Sequence, residues 1–195
     1  PKMSEPLNIV WSRPLPETNA LNSVTVSLDK SGRWFVSFSL TEEIEELPQR
    51  TERVGVDLGI TSLATLSTGE KIANQKFEQK DRKRLAKAQR RLSKKQKGSK
   101  NRDKARNKVA RIYARMTDRR IDTLHKITTR LVRENQTIAI EDLNVAGMVR
   151  NHKLARAISD ASFSEFRRQL EYKSDWYGRE LIVVDRFFPS SKTCH

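Results

Sequence analysis

Two carboxylates stand out by where they sit. Asp57 lies inside the apolar run "VGVDLGI" (54–60), between Val56 and Leu58, with Gly55 and Gly59 close on either side. Glu141 follows "IAI" (138–140), a second strongly apolar β-type segment. The run around Asp57 reads as a buried strand. Burying an unpaired carboxylate is expensive, so Asp57 is expected to have either a counter-charge or a metal ion. Two carboxylates brought close repel, and a divalent cation relieves that repulsion. Hard oxygen ligands suit Mg²⁺ or Mn²⁺, which keep waters and take phosphate oxygens as further ligands. Two such ions can activate a water and stabilise the leaving oxygen in phosphodiester cleavage. Asp142 adjoins Glu141 but faces the other side of a strand, so it ranks second. An acid after a strand can also cap a helix or pair with an arginine, and that reading weighs on each acid taken singly. The pair, in a basic chain, favours the metal.

The pair needs elements that bring it together. "RVGVDLGI" (53–60), "LATLS" (63–67) and "KIANQKF" (71–77) read as an antiparallel meander. A long helical stretch follows, with Leu85, Ala88 and Leu92 at helical spacing. It is broken at "KGSK" (97–100) and resumed by Val109, Ile112, Met116, Leu124, Ile127 and Leu131. "TIAIEDL" (137–143) is a fourth strand, and residues 144–160 are a basic connector with helical pieces. "SFSE" (162–165) reads as a capping box, Ser162 to Glu165, with Phe166 and Ala161 as its hydrophobic staple. It opens a helix to about Tyr177, ended by Gly178, before a fifth strand "LIVVD" (181–185). The order β-β-β-α-β-α-β over residues 51–195 is that of the RNase H-like fold, in which the first and fourth strands are neighbours. That fold also occurs in the ATPases of the Hsp70, actin and sugar-kinase group. Their phosphate-binding hairpin can begin with such an Asp-Gly strand, but no second Gly-rich phosphate loop occurs here. Residues 1–50 read as a separate β-rich module: a hairpin from "SVTVSLD" (23–29) and "RWFVSFSL" (33–40), with "LNIVW" (7–11) as a third strand. The expected class is α/β, a mixed sheet with long basic helices preceded by a short antiparallel β module.

Charge bounds the partners. The 195 residues carry 39 Lys and Arg against 24 Asp and Glu, a formal +15. Residues 1–50 are net −2 and residues 51–195 net +17. An excess of this kind points to nucleic acid more than to an anionic membrane. Residues 80–120 hold 19 Lys and Arg against Asp81, Asp103 and Asp118. Arg82, Lys83, Lys87, Arg90, Arg91, Lys94 and Lys95 are too many to be balanced by i,i+4 pairs. Arg111, Arg115, Arg119 and Arg120 extend the patch. Such side chains hold phosphates without reading sequence. Tyr113 is the lone aromatic residue there, which favours a duplex backbone over stacked single-stranded bases. No run approaches the ~18 apolar residues that span a bilayer, and residues 1–20 show no signal-peptide pattern. The single cysteine, Cys194, leaves no internal disulfide, which fits a reducing cytoplasmic setting.

"VGVDLGI", the basic helix pair, "TLHKITTRLVRENQTIAIEDLNV", "LARAISDASFSEFRRQLEYKSDWYG" and "FFPSSKTCH" together resemble the TnpB/OrfB family over about residues 53–195. That family comprises transposon-encoded RNA-guided DNA endonucleases related to the type V CRISPR effectors. The resemblance implies a RuvC nuclease domain with Asp57 and Glu141 as its first two catalytic acids and Mg²⁺ (or Mn²⁺) as cofactor. It implies guide RNA and target DNA as partners, and a prokaryotic cytoplasm, at the nucleoid. "SSKTC" is similar to the opening of the family's zinc ribbon, with Cys194 as first ligand. Zn²⁺ is then expected only in a complete parent chain. The third catalytic acid and last helix of the family follow that ribbon, so the chain is expected to be a fragment with weak or no cleavage by itself. Residues 1–52 look like the end of an OB-like wedge domain. The alternative is a nucleic-acid-binding RuvC-like protein without catalysis.

Overall fold

The computed structural model describes residues 5, 7–12, 14–15 and 21–186. By their contacts these divide into two units: residues up to 29 with 34–43, and residues 30–33 with 44 onward. In the first unit, β1 (Leu21–Leu28) and β2 (Trp34–Leu40) form an antiparallel hairpin with Leu28 opposite Trp34. Alternating Val and Thr favour the extended ladder. Residues 7–11 are not a strand. Trp11 packs by stacking its ring on Phe38, 5.5 Å between centroids, while Val10 is 96% exposed. A ring contact has replaced ladder hydrogen bonds, and Asn8 and Pro14 interrupt the apolar pattern on either side.

The second unit is a mixed α/β layer structure. Its five strands are β3 (Arg53–Leu58), β4 (Ser62–Leu66), β5 (Lys71–Ala73), β6 (Thr137–Glu141) and β7 (Glu180–Val184), in the order β5-β4-β3-β6-β7. β3, β4 and β5 are antiparallel neighbours, whereas β3, β6 and β7 run parallel. The helices are α1 (Phe77–Ser93), α2 (Lys100–Glu134), α3 (Val145–Val149), α4 (Ala155–Ala161) and α5 (Phe163–Trp176). No helix among the described residues is long and apolar enough to cross a membrane.

Two local expectations need correction. β5 stops at Ala73 instead of running to Phe77. The Asn74 carboxamide donates to the Ile60 carbonyl and accepts from the Lys76 amide, and this side-chain turn diverts the chain into α1. Nor do Ser162 and Glu165 form a capping box. Ser162 is the single residue between α4 and α5 and takes a left-handed conformation, φ +55°. Its hydroxyl donates back to the Ser159 carbonyl, and Glu165 reaches forward to Arg168 and Gln169. The sharp corner costs roughly 1–2 kcal/mol in backbone strain. It is offset by placing Ala161, Phe163 and Phe166 in the core, where each large apolar side chain is worth about 1.5–3 kcal/mol.

There are two cores. The main one joins Val54, Val56, Leu66, Ile138 and Ile140 of the sheet to Leu124, Leu131 and Val132 of α2 and Ile158, Phe166 and Leu170 of α4 and α5. The second lies between α1 and the first half of α2: Leu85, Ala88, Ile112 and Met116. The break between these helices is capped on both sides. Ser99 Oγ accepts from the Arg102 amide, and the Arg102 guanidinium donates to the Leu92 and Lys95 carbonyls. Gly98, φ +81°, supplies the turn.

A buried cation also ties α5 to α2. Lys173 is 5% exposed and donates to the His125 carbonyl and to the hydroxyls of Thr128 and Thr129. With no carboxylate among these partners, burial lowers its pKa to about 8. The unfolded chain therefore holds this proton over a pH range where the folded chain has released it. Folding stability should rise between pH 8 and 10.5, by roughly 2 kcal/mol. Urea midpoints measured across that range should climb relative to Lys173→Met, which lacks the titration; parallel curves would refute the assignment.

Candidate active site and nucleic-acid interface

Parallel pairing of β3 with β6 sets Val56 opposite Ile140, so the next residues, Asp57 and Glu141, stand side by side at the strand ends. Strand alternation decides which way they face. Val54, Val56, Ile138 and Ile140 take the core side; Gly55, Asp57, Ala139 and Glu141 take the other. Asp57 is therefore exposed, not buried as the apolar run suggests. With Thr65, which pairs with Asp57 across β4, and with Ser67, Val184 and Asp185, the two acids line an open trough of about 490 Å³. The small Gly55 and Ala139 leave its floor clear. Ser67 fixes that floor: its hydroxyl accepts from the Gly55 amide and its amide donates to the Gly55 carbonyl.

Neither Asp57 nor Glu141 has a side-chain hydrogen bond or ion pair among the described residues. Asp142 is the opposite case. Arg186 and Arg167 both pair with it and hold its carboxyl below the usual carboxylate range, so it is committed away from the trough. Among the described residues no three His, Cys, Asp or Glu side chains gather as a metal cluster. The donor set is thus a pair of exposed hard-oxygen ligands. That suits a cation which keeps most of its sites for water and phosphate, as Mg²⁺ does. Cys194 lies outside the described residues.

The structure divides the basic residues. Lys83, Lys87, Arg91, Lys94, Lys95 and Arg115 are exposed with no ion pair among the described residues. Lys83, Lys87 and Arg91 recur every four residues, a stripe down one face of α1, and Lys95 follows just past the C-cap Lys94. Among the described residues, Arg90 reaches its own helix at the Ala86 carbonyl, and Arg111 reaches the Ser31 carbonyl. Arg82 is paired with Glu78 within α1, whereas Arg119 pairs with Asp81 of α1 and Arg120 with Asp160 of α4, so these two hold elements together. Sequence reasoning missed Thr65, Ser67 and Asp185 at the trough. Strand register places them there, and no motif marks them.

The chain is similar to known proteins along nearly its whole length. Residues 24–152 match the family OrfB_IS605, described as a probable transposase, and residues 163–195 match a family described as Cas12f1-like, TNB domain. A relative from Streptomyces pristinaespiralis, which carries the name "Putative RNA-guided DNA endonuclease", is 64% identical over 193 residues, covering 99% of this chain and 48% of its own. InsQ of Escherichia coli (strain K12), of the same description, is 33% identical over 194 residues, covering 91% and 48%. The chain thus spans about half the length of these relatives. Among solved structures, a cryo-EM structure of a Cas12f1–sgRNA–target DNA complex matches 86% of this chain and 36% of its own, with TM-score 0.54 and 15% identity. At that identity the likeness is one of fold.

Proposed function

The chain belongs to the OrfB_IS605 family, and on that premise we propose that it is the RuvC-like, RNase H-like core of an RNA-guided, metal-dependent DNA endonuclease. The observation that carries this reading is the adjacent Asp57 and Glu141 on parallel strand ends, without ion pairs among the described residues, in a chain that also carries a stripe of exposed cations on α1. β1 and β2 would then be part of an OB-like wedge module. Guide pairing would read sequence, and the α1 stripe would hold a guide–target duplex by its backbone.

Asp57 and Glu141 would hold Mg²⁺ or Mn²⁺, which supplies an activated water and neutralises charge on the scissile phosphate. The chain's own residues set the geometry. The sheet fixes both carboxylates at the backbone level, so they cost little reorganisation on binding. Gly55 and Ala139 admit a phosphate to the floor, and Thr65 stands opposite Asp57 across the β3–β4 pair. Arg167 and Arg186 hold Asp142 aside, which leaves Glu141 as the acid that faces Asp57. A binding protein without catalysis would not need this pair kept free of counter-charges.

The test is cleavage by the chain expressed with its flanking coding sequence, its guide RNA and Mg²⁺. Guide-matched DNA should be cut, and chelation with EDTA should stop cutting while leaving nucleic acid bound. Tight, salt-sensitive binding with no cutting would favour the non-catalytic alternative. Cutting unaffected by EDTA would remove the metal from the mechanism.

A further inference from the structure

The start of α1 lacks a cap of its own. Lys76, at the N-cap position, is left-handed (φ 49°, ψ 52°) and supplies no side-chain hydrogen bond. The cap comes from another element. Asp160 Oδ2, on α4, accepts from the Glu78 amide at 3.0 Å, while Oδ1 accepts from Arg120 Nη2 of α2 at 2.7 Å. Asp160 is only 9% exposed, and its neighbours Ile158 and Ala161 are in the main core, so it moves with the sheet. One carboxylate therefore grips both helices of the basic arm from the domain body.

The arm needs such a grip. Among the described residues, Leu85, Ala88, Ile112 and Met116 form a cluster with Val109 that is separate from the main core. Arg119 tightens the same level, pairing with Asp81 and lying over the Phe77 ring at 5.3 Å. A second link runs toward the trough. Asn74 donates to the Ile60 carbonyl at 2.8 Å and accepts from the Lys76 amide at 3.1 Å. Ile60 is three residues beyond Asp57 on the same strand-and-turn segment.

We propose that Asp160, with Asn74, is a positioning residue that fixes the register between the basic arm and the Asp57–Glu141 trough, so that a duplex held on the arm meets the carboxylates at one phosphate. This rests on the function proposed above. Neither residue touches the nucleic acid; each acts through the arm. A small misplacement of a bound substrate costs rate far more than affinity.

The experiment uses the chain with its flanking sequence, loaded with guide RNA and matched DNA, as wild type, Asp160→Asn and Asn74→Ala. In Asp160→Asn, nucleic-acid affinity should stay within about threefold, because the stripe is intact. Single-turnover cleavage should fall roughly tenfold or more, and cut positions should spread over neighbouring phosphates. Amide exchange at Glu78 should quicken. Asn74→Ala, which leaves the core untouched, should shift the cut pattern in the same direction and stands in if Asp160→Asn does not fold. Wild-type rate and a single cut site in both variants would overturn the proposal, as would affinity and cleavage falling together by equal factors. If wild type itself does not cut, the nuclease reading fails, and Glu78 exchange decides the joint alone: faster in Asp160→Asn supports it, unchanged refutes it.

Discussion

Asp57→Ala is expected to lower single-turnover cleavage by on the order of 10³-fold or more, equivalent to about 4 kcal/mol of transition-state stabilisation. Affinity for guide and target should stay within a few fold, because Asp57 is not one of the cations proposed to hold the backbone. The effect on stability should run the other way. Asp57 is exposed, has no ion pair among the described residues, and stands beside a second carboxylate, Glu141. Removing it deletes no packing and relieves like-charge repulsion, so the melting temperature should stay level or rise slightly. Glu141→Gln should behave alike. By contrast, Asp142→Asn would strip Arg167 and Arg186 of their shared carboxylate, and should cost stability before it costs rate. This opposite sign separates a site built for a cation from an acid that serves the fold. A melting temperature that drops by many degrees in Asp57→Ala would mean that the residue is structural.

The second large effect concerns the arm. Replacing Lys83, Lys87, Arg91 and Lys95 together with alanine removes three cations of one α1 face and one just past its end, none with an ion pair among the described residues. Each phosphate that the protein no longer neutralises lowers the slope of log K against log salt by about 0.7–0.9, so the slope should flatten by about 3. Affinity for a guide–target duplex should fall on the order of 10²-fold at physiological salt. Leu85 and Ala88, which face α2, are untouched, alanine is a strong helix former, and i,i+4 repulsion disappears. The helix should therefore be at least as stable as before. Filter-binding or anisotropy titrations at several salt concentrations read the slope directly. An unchanged slope would show that the duplex lies elsewhere.

Some of this was readable from residue types alone. An acid in an apolar strand, another after a second apolar strand, and a strand order that makes them neighbours were enough to bring Asp57 and Glu141 together. The break at 97–100 was equally plain, since Gly98 and Ser99 are a turn and a cap in any context. The exposure of Asp57 was not plain. "VGVDLGI" looks uniformly apolar because glycine hides the alternation: Gly55 and Asp57 share one face, and Val54 and Val56 the other. Thr65 reaches the trough through the β3–β4 register, which the turn at Gly59 closes, and Asp185 through the parallel pairing of β7 with β6. The Ser162–Glu165 pattern failed because α4 leaves no room for a cap before α5. Tertiary packing of Phe163 and Phe166 fixed the corner, and the side chains found other partners. Asp160 was invisible for a related reason. It caps a helix that begins at Phe77, far back along the chain, and no local pattern marks such a cap.

The proposed site has Asp57 and Glu141 together holding a divalent cation. Mn²⁺ titration followed by electron paramagnetic resonance, on the nucleic-acid-loaded protein with its flanking sequence, reads this without relying on cleavage. Wild type should take up Mn²⁺ at a site that weakens at least about tenfold in both Asp57→Asn and Glu141→Gln, and Mg²⁺ should compete it away. Uptake in both variants that matches wild type would contradict the shared site.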